Sequence, residues 1–239
     1  MSRPKPTIVL VHGAFADASS WNGVVAKLRA HDYPVIAAAN PLRGLTTDAD
    51  YVRQLVTSLD GPVVLVGHSY GGSVISNAAK GLPEVKALVF VAAFLPDEGE
   101  SAVDLSGKFP GSTLGETLRP VPVTLPDGSK VTDLYIEQAR FHEQFAADVP
   151  EETTAVMAAG QRPVTEAALA EGASAPAWRD IPSWVLVADE DRNIPSQVQT
   201  YMAERAGATV MEVSASHAVS VSRPGDVARL INEAAQATA

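Results

Sequence analysis

Apolar residues along the chain fall into two alternating patterns. Short, nearly unbroken apolar runs rich in β-branched side chains occupy residues 7–11, 34–39, 63–66, 85–92, 183–188 and 209–213. Runs of this length and kind mark strands covered on both faces, as in a parallel sheet. Stretches with helical spacing lie between them. Residues 21–30 place Val24, Val25 and Leu28 on one face, with Ser19 or Ser20 positioned to cap the helix start. A second helix opens at Thr46 or Thr47, carries Tyr51, Leu55, Val56 and Leu59, and is stopped by Asp60-Gly61-Pro62. Residues 73–80, 196–206 and 224–237 complete the set, the last turning Val227, Leu230 and Ile231 inward. Strands and helices alternating through short connections predict an α/β fold, doubly wound around a mostly parallel sheet.

The rhythm breaks from residue 96 to 182. Pro110, Pro120, Pro122, Pro126, Pro150, Pro163 and Pro176 punctuate this stretch, and Asp127-Gly128 marks a hairpin. Helical segments are expected near residues 132–147, 151–159 and 165–170, with no strong buried strand. The expectation is an inserted, mainly helical cap over 96–182, set into a core formed by 1–95 and 183–239 and lying over the active-site end of the sheet.

The chemistry concentrates where the 63–66 strand ends. Gly67-His68-Ser69-Tyr70-Gly71 fits G-x-S-x-G, a sharp strand-to-helix turn that lifts a serine hydroxyl out of the sheet. A residue strained in such a turn leaves no room for side chains two positions away, a demand that Gly67 and Gly71 meet. The following helix directs free N–H groups back toward the turn. Ser69 is the candidate nucleophile, and a serine needs a base and an orienting acid. His217 follows the last strand and precedes a helix, the place expected of the base. The acid comes from the loop after residue 188, where Asp189, Glu190 and Asp191 are all available. Backbone N–H groups of Tyr70 and Ala14 are the candidate oxyanion donors, with Gly13 allowing close approach. Of the remaining histidines, His12 and His68 are read as structural, His31 as solvated and His142 as lying on an exposed helix of the cap.

Composition narrows the classes further. Hydrophobic residues make up 46% and charged residues 19% of the 239, with no apolar run long enough to cross a bilayer, so a soluble globular protein is expected. A formal charge of −10 disfavours nucleic acid and anionic membranes as partners. The chain has no cysteine, which excludes disulfides, thiolate metal sites and a cysteine nucleophile. The apolar run at 7–11 is too brief for a signal peptide, and a cytoplasmic location is expected. The oligomeric state stays open.

Taken together, His12-Gly13-Ala14-Phe15 with Trp21, the Gly67–Gly72 stretch, Asp191-x-x-Ile194-Pro195 and Ser216-His217 resemble the α/β-hydrolase superfamily over the whole chain. Within it they are similar to the small bacterial esterases and the plant methylesterase and hydroxynitrile lyase group. The resemblance implies Asp191 as the acid, ahead of Asp189, and implies substrate contacts at Gly13, Phe15 and Ala218. Hydroxynitrile lyases of the plant branch carry threonine and lysine where this chain has Gly13 and Ala218, so no cation is left to receive cyanide and hydrolysis is favoured. Dehalogenases and epoxide hydrolases of this fold use aspartate at the elbow, where this chain has Ser69. The implied protein is a serine esterase acting on a small carboxylic ester without metal or cofactor. The alternatives are cofactor-free perhydrolase or haloperoxidase-like chemistry or hydroxynitrile lyase-like activity on the same triad, and a catalytically silent small-molecule receptor or interaction protein.

Overall fold

The computed structural model describes residues 5–238. All six apolar runs are strands: β1 (Thr7–Val11), β2 (Val35–Ala38), β3 (Val63–His68), β4 (Val85–Val91), β8 (Ser183–Ala188) and β9 (Thr209–Val213). They form one sheet in the order β2-β1-β3-β4-β8-β9, with every neighbouring pair parallel. Around it lie α1 (Asn22–Ala30), α2 (Leu45–Thr57), α3 (Tyr70–Ala79), α8 (Ser196–Ala206), α9 (Val219–Ser222) and α10 (Pro224–Ala237).

The unbroken apolar runs follow from cover on both faces. Val9, Val11, Val63 and Leu65 pack into one core with Val52 and Val56 of α2, Val74 and Ile75 of α3, and Val198 and Met202 of α8. Their neighbours Ile8, Leu10, Val64 and Val66 point the other way, into a second core with Val24 and Leu28 of α1 and Val227, Leu230 and Ile231 of α10. Each such side chain, fully buried, contributes about 1.5–3 kcal/mol. A polar residue at Val64 would therefore damage the sheet.

Strand order also decides where a site forms. The chain passes from β1 outward to β2, then returns to β3 on the other side of β1. The loops leaving β1 and β3 diverge there, opening a crevice at the carboxyl ends of the strands.

Helix starts differ from the sequence expectation in informative ways. Neither Ser19 nor Ser20 caps α1; the Asp17 carboxylate accepts the Ser19 N–H at 2.8 Å and caps a 3-10 turn, Ala18–Trp21, that leads into it. At α2, which begins at Leu45, Glu171 reaches in from far along the chain to accept the Leu45 and Thr46 N–H groups at 2.6 and 3.1 Å. α3 starts at Tyr70, before the expected residue 73, and takes in Gly72, where a Cβ would meet the Phe94 carbonyl oxygen at 2.3 Å.

The segment 96–182 corrects one expectation outright. Residues 132–147 do not form one helix. They split into β6 (Lys130–Ile136), which pairs with β5 (Leu118–Thr124) across the Asp127-Gly128 turn, and α5 (Gln138–Phe145). With β7 (Val164–Thr165) they make a three-stranded antiparallel sheet ordered β5-β6-β7. Pro120 and Pro122 sit in β5, an edge strand, where a missing N–H costs no ladder bond on the outer side. The other expected helices appear as α6 (Glu151–Gly160) and α7 (Glu166–Ala170), and a short helix that was not expected, α4 (Ala102–Ser106), lies near the start of the segment. Among the described residues no helix is long and apolar enough to cross a membrane.

Candidate active site

Ser69 occupies the turn between β3 and α3 with φ 55° and ψ −126°, a conformation unusual for a residue with a side chain. Its carbonyl accepts the N–H groups of Gly72 at 3.0 Å and Phe94 at 3.1 Å, which hold the turn in place. Close packing explains the glycines. A Cβ at Gly67 would meet the Gly71 carbonyl oxygen at 2.5 Å, and one at Gly71 would meet that of Val11 at 2.4 Å. Across the crevice, a Cβ at Gly13 would come within 2.6 Å of Ser69 Cβ. The β1 loop thus lies directly against the serine.

That loop is tied down from several directions. His12 Nδ1 donates to the Gly13 carbonyl at 2.9 Å, while its Nε2 accepts the Asn40 N–H at 3.1 Å and Asn40 Nδ2 donates to the His12 carbonyl at 2.9 Å. Burial depresses the His12 pKa, so the ring is neutral, as this pairing requires. Phe15, at φ 61°, donates its N–H to the Arg162 carbonyl at 3.0 Å. Among the described residues the N–H groups of Ala14 and Tyr70 carry no hydrogen bond, and both residues line the same cavity as Ser69. A developing oxyanion needs two free N–H donors, and these two residues are the candidates for that role.

The Tyr70 side chain has a separate attachment. Its hydroxyl donates to Asp48 Oδ2 at 2.9 Å, and Asp48, fully buried, also accepts the Arg43 N–H on both oxygens at 3.1 Å. Burial raises the pKa of Asp48, and burial beside the Asp48 charge raises that of Tyr70. Arg43 in turn pairs with Asp133 of β6 at 2.7 Å.

Of the three acidic residues after β8, Asp189 and Glu190 are exposed and Asp191 is buried. Asp191 Oδ1 accepts the N–H groups of Asn193 and Ile194 at 2.7 and 3.0 Å. Oδ2 accepts Gln199 Nε2 at 3.0 Å and His217 Nδ1 at 2.7 Å. With Nδ1 donating, His217 keeps Nε2 as the nitrogen free to take a proton. His68 packs against the His217 ring with centroids 4.7 Å apart and donates Nε2–H to the His217 carbonyl at 2.8 Å. Burial, with the neighbouring His217 second, holds the His68 pKa well below the ordinary histidine value. Phe145 packs edge-on against the same ring, with centroids 4.9 Å apart, and also lies against His68. Among the described residues neither Ser69 Oγ nor His217 Nε2 makes a hydrogen bond; catalytic bonds of this kind often tighten only with substrate present.

The cavity at Ser69 has a volume of about 200 Å³ and a largely apolar lining that includes Phe94, Leu114, Leu118, Leu169 and Ile194. Phe15 lines it. Gly13 backs onto Ser69 instead, and Ala218 is buried, donating its N–H to the Phe145 carbonyl at 3.0 Å, outside the cavity lining. His31 is exposed, and His142 is half-buried on α5 with Nε2 bonded to the Val149 carbonyl. Among the described residues no three His, Asp or Glu side chains converge as a metal site would require.

Asn40, Asp48 and Gln199 escaped the sequence reading. Gln199 carries a weak signal, since it sits on the inward face of α8 beside Val198 and Met202. Asn40 and Asp48 carry none, because the residues they tie to the site, His12 and Tyr70, lie 28 and 22 positions away.

Known proteins resemble this chain in sequence and in fold. The model of the alpha/beta hydrolase family matches residues 8–230. An alpha/beta hydrolase of Aspergillus novofumigatus, nvfD, is 29% identical over 97% of this chain and 97% of its own. Methylesterase 2 of Arabidopsis thaliana is 35% identical over 127 residues, which is 47% of this chain and 48% of that protein. This chain therefore aligns with about half the length of that relative. The crystal structure of polyneuridine aldehyde esterase superposes with a TM-score of 0.83 at 20% identity, covering 96% of this chain and 99% of that one. With its parallel sheet, its strained serine elbow and a family match that spans nearly its whole length, the chain is an enzyme of the alpha/beta hydrolase family.

Proposed function

We propose that the chain is a serine esterase that cleaves a small carboxylic ester through an acyl-enzyme, with Ser69, His217 and Asp191 acting together. The observation that carries this reading is the buried 2.7 Å bond from His217 Nδ1 to Asp191, beside a serine elbow. In the first half-reaction His217 Nε2 takes the Ser69 Oγ proton as Oγ bonds to the ester carbonyl carbon. The carbonyl oxygen becomes an anion held by the N–H groups of Ala14 and Tyr70. Its collapse breaks the bond to the alcohol oxygen, which leaves with the proton from His217. Water then repeats the sequence on the acyl-enzyme and releases the acid. Asp191 holds His217 in the tautomer this needs and stabilises the imidazolium. Segment 96–182 serves as the cap, because Ala102, Leu114, Leu118 and Leu169 close the cavity over Ser69. The names of the relatives, methylesterases among them, support an ester substrate.

Lyase chemistry is not favoured. Cyanide leaves as an anion and needs a cation in a water-poor site, and neither Gly13 nor Ala218 provides one. The test is rapid mixing with 4-nitrophenyl acetate. A stoichiometric burst of 4-nitrophenol is expected from the natural protein, and Ser69→Ala should abolish it and lower kcat about 10⁴- to 10⁶-fold. A burst of undiminished amplitude in Ser69→Ala would refute the assignment.

A further inference from the structure

The largely apolar wall of the cavity at Ser69 carries one amide, that of Asn193, in the loop between β8 and α8 that also holds Asp191. The cavity, about 200 Å³, is smaller than the ~300–1,000 Å³ usual for small-molecule sites, and no charged side chain lines it. Tyr70 and Ser112 also bring hydroxyls, but these donate within the protein, to Asp48 and to the Asn193 carbonyl at 2.9 Å. Asn193 is only 3% exposed.

The surrounding hydrogen bonds fix the orientation of that amide. A carbonyl can only accept, so the Gln144 atom 3.0 Å from the Arg192 carbonyl is the nitrogen Nε2, while Thr113 donates to the other end, Oε1, at 2.8 Å. The same nitrogen lies 2.7 Å from the Asn193 amide, which must present its oxygen there. The Asn193 N–H goes to Asp191 and its carbonyl accepts from Ser112. Nδ2 is then the one polar atom of Asn193 without a partner among the described residues, and it is not sealed away from open space. A hydrocarbon group filling the cavity would strip water from this donor and return nothing, which is costly; an oxygen acceptor in the same place would satisfy it.

Ala14, Ser69 and Tyr70 line this cavity and His217 does not. His217 returns the proton to the departing alcohol, so the part of the ester that stays on Ser69 is the part the cavity holds. We propose that Asn193 selects the acyl group, Nδ2 donating to an ether, keto or hydroxyl oxygen that the acyl chain carries beyond the scissile carbonyl. The inference rests on the serine-esterase reading. The acyl group is short, for lack of room, and uncharged, because an ion would find no counter-charge on the lining.

The test compares 4-nitrophenyl esters whose acyl chains differ by one ether oxygen in place of a methylene: methoxyacetate against butyrate, and 3-methoxypropionate against pentanoate. Ratios between natural and variant protein cancel the differing intrinsic reactivity of the esters. Asn193→Leu should lower kcat/KM for at least one ether ester, relative to its hydrocarbon partner, about two- to tenfold, the range of one neutral hydrogen bond. Asn193→Asp, assayed at pH 8, keeps the oxygen that Gln144 uses and removes only the donor; it should move the same ratio the same way even where the leucine variant fails to fold. A loss shared equally by ether and hydrocarbon esters would overturn the proposal. So would a ratio that follows Ser106→Ala, another hydroxyl of the lining, instead of Asn193. A ratio that moves only for 2-methoxyethyl against butyl acetate would put the contact on the alcohol and overturn it as well. Two methyl ketones separate this inference from the esterase reading. Methoxyacetone and 2-pentanone carry the first pair of acyl chains without a leaving group, and their binding to Ser69→Ala is followed by ligand-observed NMR. A Kd ratio that Asn193→Leu shifts against methoxyacetone, in a protein whose natural form hydrolyses no ester, would remove the esterase and keep the recognition. A Kd ratio that Asn193→Leu leaves unchanged would remove the recognition, whatever the hydrolysis.

Discussion

Tyr70→Phe deletes one hydroxyl and tests the linkage behind the serine. The lost bond is the 2.9 Å donation to Asp48, a carboxylate with no access to water. A hydrogen bond to a charged group is worth about 1.5–3 kcal/mol, and Asp48 keeps its contacts to the backbone N–H groups of Arg43 and Gly44. For a chain of this size each kcal/mol lowers Tm by about 2–4 °C, so a fall of roughly 3–12 °C is expected. The loss should also depend on pH. Burial raises the Asp48 pKa in the folded state, so the native protein holds a proton that the unfolded chain releases. Stability therefore declines as pH rises from the unfolded value through the raised one. The Tyr70 bond opposes that rise, and deleting it pushes the Asp48 pKa higher still. Urea denaturation should consequently show a greater loss at pH 8 than at pH 5. The double variant with Asp48→Asn, which has no charge to bury, should lose this pH dependence. An equal loss at both pH values, or a loss below about 0.5 kcal/mol, the level of an ordinary surface substitution, would refute the reasoning.

Two further expectations concern the reacting groups. Asp191→Asn should lower kcat about 10⁴-fold, because the amide disrupts the His217 tautomer, while the exposed Asp189→Asn should change little; steady-state rates on one activated ester would settle it, and reversed costs would assign the acid to Asp189. Gly13→Ala places a methyl 2.6 Å from Ser69 Cβ, and the resulting displacement of the nucleophile should cost about 10²-fold in kcat with the fold retained by circular dichroism. Near-natural rates would mean that the two loops can separate freely.

The core strands were legible because burial on both faces leaves a continuous apolar run, and Ser69 and His217 because each sits where such a run ends. Asp191 could not be chosen over Asp189 from the residues alone; only the resemblance chose it, and its buried place depends on Gln199 reaching across from α8. β6 was misread although Val131, Thr132, Tyr135 and Ile136 are strand formers placed just after the Asp127-Gly128 turn, because their run leads without a break signal into the helical residues of α5. Its partner, β5, carries two prolines that disguise an edge strand as loop. The caps of the first two helices hid for a related reason. Asp17 precedes the expected serines, and Glu171 lies 126 residues beyond Leu45.

Strands β4 and β8 lie side by side although the whole of segment 96–182 runs between them. Closing a loop costs free energy that grows only with the logarithm of its length, so halving or doubling this segment changes that cost by about 0.6 kcal/mol. The sheet can thus host replacements of very different size at this junction, and lineages can exchange what covers the serine without rebuilding what holds it. The same arrangement slows the route to the native state. Pairing β4 with β8 must await a contact between residues far apart in the chain, and until β8 arrives β4 exposes an apolar edge open to other chains.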